Sequence, residues 1–125
     1  MNTTTIKFLL KLKNASLILK ESVIFDFNSH TLSILHILYK SGLIQYYTKN
    51  NNNLIVYLRS NFGKSLTQRL KIISTPTKRV FLSYKTISTL KKKNNFIFFF
   101  STDRGLKTLI DCKKQKLGGV LLFIC

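Results

Sequence analysis

Ser101-Thr102-Asp103-Arg104-Gly105 directly follows the apolar run Phe96 to Phe100, and Thr108 and then Leu117-Gly118-Gly119 lead into a closing apolar run, Val120 to Ile124. Hydroxyls at this spacing, delivered to the surface by a buried strand, supply small hydrogen-bond donors and acceptors. The glycine pair lets another backbone come close and leaves bare N–H and C=O groups for a ligand of fixed shape. That is equipment for recognition rather than for making bonds. In a chain of formal net charge +17, the matching ligand is a polyanion.

Bond-making chemistry lacks its parts. His30 and His36 stand six residues apart, which on a helix points them to different sides, and neither has a carboxylate beside it in sequence. Gly63-Lys64-Ser65 shares the last three positions of a phosphate loop. Leu58 stands where that motif needs its first glycine, and no buried strand leads through the segment into a long helix. Asp103 and Asp111 each lack a second carboxylate. The sequence therefore predicts no catalytic residue, no metal site, no cofactor and no small-molecule substrate.

Basic residues, by contrast, recur in clusters: Lys7, Lys11 and Lys13; Lys78 and Arg79; Lys91 to Lys93; Arg104 and Lys107; Lys113, Lys114 and Lys116. If six to ten of them reached phosphates, affinity would fall by roughly 10³ to 10⁵ between 50 and 200 mM salt. Lys and Arg number 21 against four acids, Glu21, Asp26, Asp103 and Asp111, yet 45% of residues are hydrophobic. Disorder pairs high charge with few apolar residues, so the composition describes a folded core under a cationic skin.

Stepping along the 125 residues, one domain or two small lobes are expected. Residues 4 to 14 suit an amphipathic helix with Ile6, Leu9 and Leu10 on one side and Lys7, Lys11 and Asn14 on another, the second side being a cationic face for a ligand or an ordinary solvated lysine stripe. Ser22 to Phe27 reads as a strand. Asn28 or Ser29 caps a helix to Ser41 with Leu32, Leu35, Leu38 and Tyr39 inward, and Gly42 ends it. Leu43 to Tyr47 and Leu54 to Arg59 read as antiparallel strands around the polar loop Thr48 to Asn53. Leu70 to Ser74, Arg79 to Tyr84, Phe96 to Ser101 and Gly119 to Ile124 read as further strands, with Pro76 turning the first pair and a short helix over Leu106 to Lys116. The expected fold is α+β in two small lobes: residues 1–66 as α-β-α-β-β and residues 67–125 as mainly antiparallel β with one short helix. The Phe96 to Phe100 run is expected in the core, with an exposed stacking platform as the alternative.

The pattern Ser-Thr-x-x-Gly, a threonine three residues on, and Gly-Gly before a terminal hydrophobic strand resembles the signature of bacterial-type small-subunit ribosomal protein eight. Three upstream segments agree in order: Leu12-Lys13-Asn14-Ala15, Ile37-Leu38-Tyr39-Lys40-Ser41-Gly42-Leu43-Ile44, and Ile73-Ser74-Thr75-Pro76-Thr77-Lys78-Arg79-Val80-Phe81. The resemblance implies a non-catalytic structural component of the small ribosomal subunit. It implies binding to a stem in the central domain of small-subunit ribosomal RNA, support of assembly and translation, and neighbouring small-subunit proteins as further partners. Carried over, it implies RNA contacts at Ser101, Thr102, Gly105, Gly118 and Gly119, with the N-terminal helix also against RNA. Adding the flanking basic and polar residues gives an expected RNA-binding set of Lys7, Lys11, Asn14, Lys78, Arg79, Ser101, Thr102, Asp103, Arg104, Gly105, Lys107, Thr108, Gly118 and Gly119. The other reading of the turn is a capped strand-to-helix junction with Ser101 or Thr102 as N-cap. Asp103 replaces the usual small hydroxyl of the family, Val120 its acidic residue after the glycine pair, and Thr77 its glycine after proline.

Cys112 and Cys125 read as reduced thiols, because one lies in a Lys-rich stretch and the other is the last residue. No apolar run approaches the roughly 20 residues that span a bilayer, and no signal core or Arg-rich leader is evident, so no membrane partner is expected. Seventeen lysines to four arginines, with abundant Asn, Ile and Phe, is the usage of a strongly AT-biased gene. With the resemblance, this points to an organelle-encoded protein of the mitochondrial ribosome, with a plastid or a bacterial cytoplasm as alternatives. The rival functions are a free-standing basic nucleic-acid-binding module and a peripheral protein held by anionic lipid headgroups.

Overall fold

Phe8, Leu9, Leu12 and Ala15 recur at steps of one turn, and the helix they define, α1 (Thr3–Leu17), buries that stripe together with Thr5 and Ser16. Leu10 falls outside the stripe and is exposed rather than inward. The computed structural model describes residues 3–61, 64–90 and 96–125. Among the sequence-based expectations, the basic run Lys91 to Lys93 and Gly63 lie outside them. The chain divides into two compact units, Thr4–Leu70 and Lys71–Cys125, with Thr3 grouped with the second.

In the first unit, β1 (Ser22–Asp26) alternates, with Val23 and Phe25 buried and Ser22, Ile24 and Asp26 exposed. The Asn28 side chain accepts from His30 N at 2.9 Å and so starts α2 (Ser29–Lys40). Thr31, Ile34, Leu35 and Leu38 form its buried stripe. Tyr39 lies beside that stripe, not in it: the residue is exposed, with its ring edge-on to Tyr47 at 6.1 Å. Strands β2 (Ile44–Asn50) and β3 (Asn53–Leu58) pair antiparallel, and β1 pairs the far side of β3, giving the order β1-β3-β2. The expected six-residue loop shrinks to Asn51-Asn52, because Thr48 to Asn50 continue the ladder and Asn51 adopts φ 53. Asparagine takes that left-handed conformation more readily than most residues and so closes a tight hairpin. A short hairpin of β4 (Ser60–Asn61) and β5 (Lys64–Ser65) and a 3-10 turn over Leu66–Arg69 follow. The Ser16 and Thr67 hydroxyls bond to each other, and Gln68 Nε2 donates to Ser16 O at 3.0 Å.

The second unit is built around β10 (Gly119–Ile124). Along one side it pairs β6 (Lys71–Ile72) and β7 (Phe81–Leu82), and along the other β8 (Phe98–Thr102), which pairs β9 (Gly105–Thr108). Phe99, Phe100 and Phe123 are fully buried, and Phe99 stacks on Phe123 at 4.6 Å, so the phenylalanine run is core at its C-terminal end. Among the described residues two helices, where the sequence predicts one, pack with this sheet. The expected strand Arg79 to Tyr84 is only Phe81–Leu82, and α3 (Tyr84–Thr89) follows it, anchored by Ile87 in a cluster with Phe100, Leu109 and Cys112. The expected helix over Leu106 to Lys116 is α4 (Leu109–Gln115), because Gly105 to Thr108 first pair with β8.

Candidate nucleic-acid interface

Thr102 pairs with Gly105 across the β8–β9 hairpin, which leaves Asp103 and Arg104 exposed at the tip. Two bonds through one hydroxyl hold this tip: Thr102 Oγ1 donates to Gly105 O at 2.8 Å and accepts from Arg104 N at 3.2 Å. Gly105 has φ 97, a backbone conformation that L side chains rarely adopt, which is why glycine stands there. The turn therefore joins strand to strand. It is not a capped strand-to-helix junction: the N-cap of α4 is Thr108, whose Oγ1 accepts from Asp111 N at 3.5 Å and donates to Asp111 Oδ2 at 3.2 Å. The Thr108 hydroxyl is thus engaged within the fold, opposite Phe99 at the far end of the hairpin.

The glycine pair is explained by crowding. A Cβ on Gly119 would lie 2.5 Å from Ser101 O and 2.9 Å from Thr102 Cγ2, and one on Gly118 would lie 3.0 Å from Leu82 O. Gly119 has no room for a Cβ against the Ser101-Thr102 strand, and Gly118 keeps β10 tight against the Leu82 to Tyr84 segment. Beside this close approach an open groove of about 520 Å³ is lined by Ser101, Thr102, Asp103, Gly118, Gly119 and Val120, together with Phe81, Ser83 and Tyr84. Phe81 is 68% exposed. Phe81 closes the family-like segment Ile73 to Phe81, whereas Ser83 and Tyr84 carry no motif in the sequence. Their signal is the same Arg79 to Tyr84 run that suggests a strand, and the pairing of Leu82 with Gly119 and of Phe81 with Val120 brings it to the glycines.

Of the other expected contacts, Arg104 and Gly105 belong to the hairpin tip, and Lys107 lies on β9 opposite Phe100. Lys78 and Arg79 are exposed at the turn that leads into β7, where Thr75 N donates to Lys78 O at 2.9 Å and Lys78 N to Thr75 Oγ1 at 3.1 Å. Lys7, Lys11 and Asn14 are exposed on α1 in the other unit. Lys11 has a structural duty there: its Nζ donates to Ile24 O at 2.9 Å and sits 5.1 Å from the Phe25 ring centre.

Short hydroxyls, bare backbone and neighbouring cations suit the wide, shallow minor groove of A-form RNA, which displays 2′-hydroxyls and sugar edges that no reading helix is needed to reach. Among the described residues, no group of three or more His, Cys, Asp or Glu side chains is placed to hold a metal ion, and no helix is long and apolar enough to cross a membrane. Cys112 is buried; burial pushes its thiol pKa up, and the Asp111 carboxylate adds to the rise, which keeps the thiol protonated and unreactive.

Residues 4–125 match the family described as Ribosomal protein S8. Small ribosomal subunit protein uS8 of Borreliella afzelii is 30% identical over 119 residues, covering 91% of this chain and 89% of that protein. The uS8 protein of Borrelia duttonii is 33% identical over the same length and coverage. Small ribosomal subunit protein uS8m of Acanthamoeba castellanii is 30% identical over 93 residues, 73% of each chain. The chain belongs to the ribosomal protein S8 family, a family of structural, non-enzymatic components of the ribosome.

Proposed function

We propose that this chain binds small-subunit ribosomal RNA through the groove between the Ser101 to Gly105 hairpin and the Gly118-Gly119 pair, and so helps to fold the central domain of the small subunit. The observation that carries this reading is the convergence of Ser101, Thr102 and both glycines on one open groove in a chain of net charge +17. Lysines and arginines supply long-range attraction, and the groove supplies shape recognition of a stem. Asp103 at the tip disfavours a phosphate there unless the charge of Arg104, its neighbour in sequence, or a bound cation offsets it. Val120 lines the groove with an apolar side chain that accepts no hydrogen bond, so recognition at that point rests on backbone and contact.

The ribosome concerned is that of an organelle or a bacterium, and we infer the mitochondrial one. The AT-biased residue usage and the uS8m relative support this assignment. Sedimentation of the native protein through sucrose at moderate magnesium tests the reading. Co-migration with mitochondrial small subunits and a footprint on central-domain RNA are expected. A slow free species or a floating membrane fraction would defeat it.

A further inference from the structure

The groove beside the glycine pair carries a charge opposite to that of the molecule. Among the described residues that line it, Asp103 alone is charged, and no Lys or Arg is present, although the chain has 21 basic residues. The nearest cations in sequence stand outside the lining: Lys78 and Arg79 in the exposed turn that leads into Phe81, and Arg104 next to Asp103 at the hairpin tip. Phosphates belong with those cations. What enters the groove is therefore the part of a duplex that lies between its phosphate rows.

The carboxylate is held in place there. Register sets Ser101 opposite Val120 and Thr102 opposite Gly105, so Asp103 follows at once in a two-residue turn beside the groove. Thr102 Oγ1 makes the bonds that fix this turn, to Gly105 O and from Arg104 N, and neither of them uses the Asp103 carboxylate. Facing it across the groove are glycine backbone and the apolar side chain of Val120. A carboxylate covered by RNA with no donor opposite it would lose its water without compensation.

The minor groove of an A-form stem offers two kinds of donor, the 2′-hydroxyls and the 2-amino group of guanine. A hydroxyl both donates and accepts, which matches the hydroxyl of Ser101. An ionised carboxylate only accepts, and the minor-groove group that only donates is the guanine amino group. Every nucleotide carries the 2′-hydroxyl, whereas the amino group separates a G·C pair from an A·U pair.

We propose that Asp103 accepts a hydrogen bond from the 2-amino group of one guanine in the minor groove of the bound stem and so determines which base pair is tolerated at that point. This rests on the groove reading above and names the chemical group that the groove selects. The test measures binding of the full-length protein to a central-domain stem of small-subunit ribosomal RNA, to copies of that stem with each guanine replaced singly by inosine, which lacks only the 2-amino group, and to a random duplex. One inosine replacement should weaken wild type about tenfold and leave Asp103→Ser unaffected. Asp103→Ser should itself bind the unmodified stem about tenfold more weakly, yet bind the random duplex about threefold more tightly, because a charge that repels phosphates has gone. Tighter binding of Asp103→Ser to both RNAs would show repulsion alone and overturn the proposal. So would a wild type indifferent to every inosine, or an inosine effect that disappears when magnesium is replaced by monovalent salt, which would assign the acid to a bound cation. In each of these cases a retained preference of wild type for the stem leaves the parent reading standing; loss of that preference would remove the parent reading, and this one with it.

Discussion

Gly119 lies so close to Ser101 that a Cβ on the glycine would sit 2.5 Å from the serine carbonyl oxygen. The strand that presents the hydroxyls and the strand that begins at the diglycine are therefore one packed unit, and the groove beside them inherits its shape from that contact. Gly119→Ala should cost about 1–3 kcal/mol through backbone displacement, read as a lower urea midpoint. Gly105→Ala has open space around its Cβ but a φ of 97, so it should cost about 1–3 kcal/mol through backbone strain alone. Equal stability of wild type and Gly119→Ala would show that the close approach is not real.

Thr102 and Ser101 should separate in their effects. Thr102 Oγ1 makes both bonds that hold the hairpin tip, so Thr102→Ala should lower stability by about 1 kcal/mol as well as weaken RNA binding, and Thr102→Ser should restore both. Ser101 is exposed, and Ser101→Ala should leave the denaturation curve unchanged. A stability loss at Ser101 equal to that at Thr102 would contradict this division.

Thr108 is among the expected RNA contacts, and its hydroxyl also caps α4. Thr108→Ala should cost about 0.5–2 kcal/mol of stability. We expect RNA affinity, measured well below the unfolding midpoint, to hold. A drop in affinity without a drop in stability would show that Thr108 touches RNA directly.

Much of the fold was legible because its determinants are local. Asn28 as the cap of α2, the alternation of Val23 and Phe25, and the all-apolar Phe98 to Phe100 each announce their element. The misreadings have physical causes. Tyr84 to Thr89 is rich in β-branched residues and a poor intrinsic helix, and it coils because Ile87 reaches a core shared with Phe100 and Leu109, residues distant in sequence. The Thr48 to Asn53 run reads as a loop because asparagines signal turns, although Asn51-Asn52 suffice for one. Of the candidate site, the Ser-Thr turn and the diglycine were visible as a motif. That Phe81, Ser83 and Tyr84 join this site was not, since strand pairing brings them there and no local spacing encodes it.

The thiol of Cys112 provides a pH test. Its pKa lies above the ordinary 9.0 in the folded state, so folding favours the protonated form. This contribution is fully present below the unfolded value and is lost as pH rises through the folded one. Stability should therefore fall above about pH 9, and that part of the fall should be absent in Cys112→Ala. Native Cys112 should also resist alkylation until denaturant is added. A profile unchanged by Cys112→Ala would show that the thiol is not perturbed.

The most direct test compares wild type and Ser101→Ala for binding to a central-domain stem of small-subunit ribosomal RNA and to a random duplex at one fixed salt concentration. Shape recognition by the groove predicts a loss of about 1 kcal/mol on the stem and none on the random duplex. Lys78→Ala should instead weaken both alike and lower the salt slope by about 1. Equal behaviour of the two variants on the two RNAs would contradict the assignment of the groove.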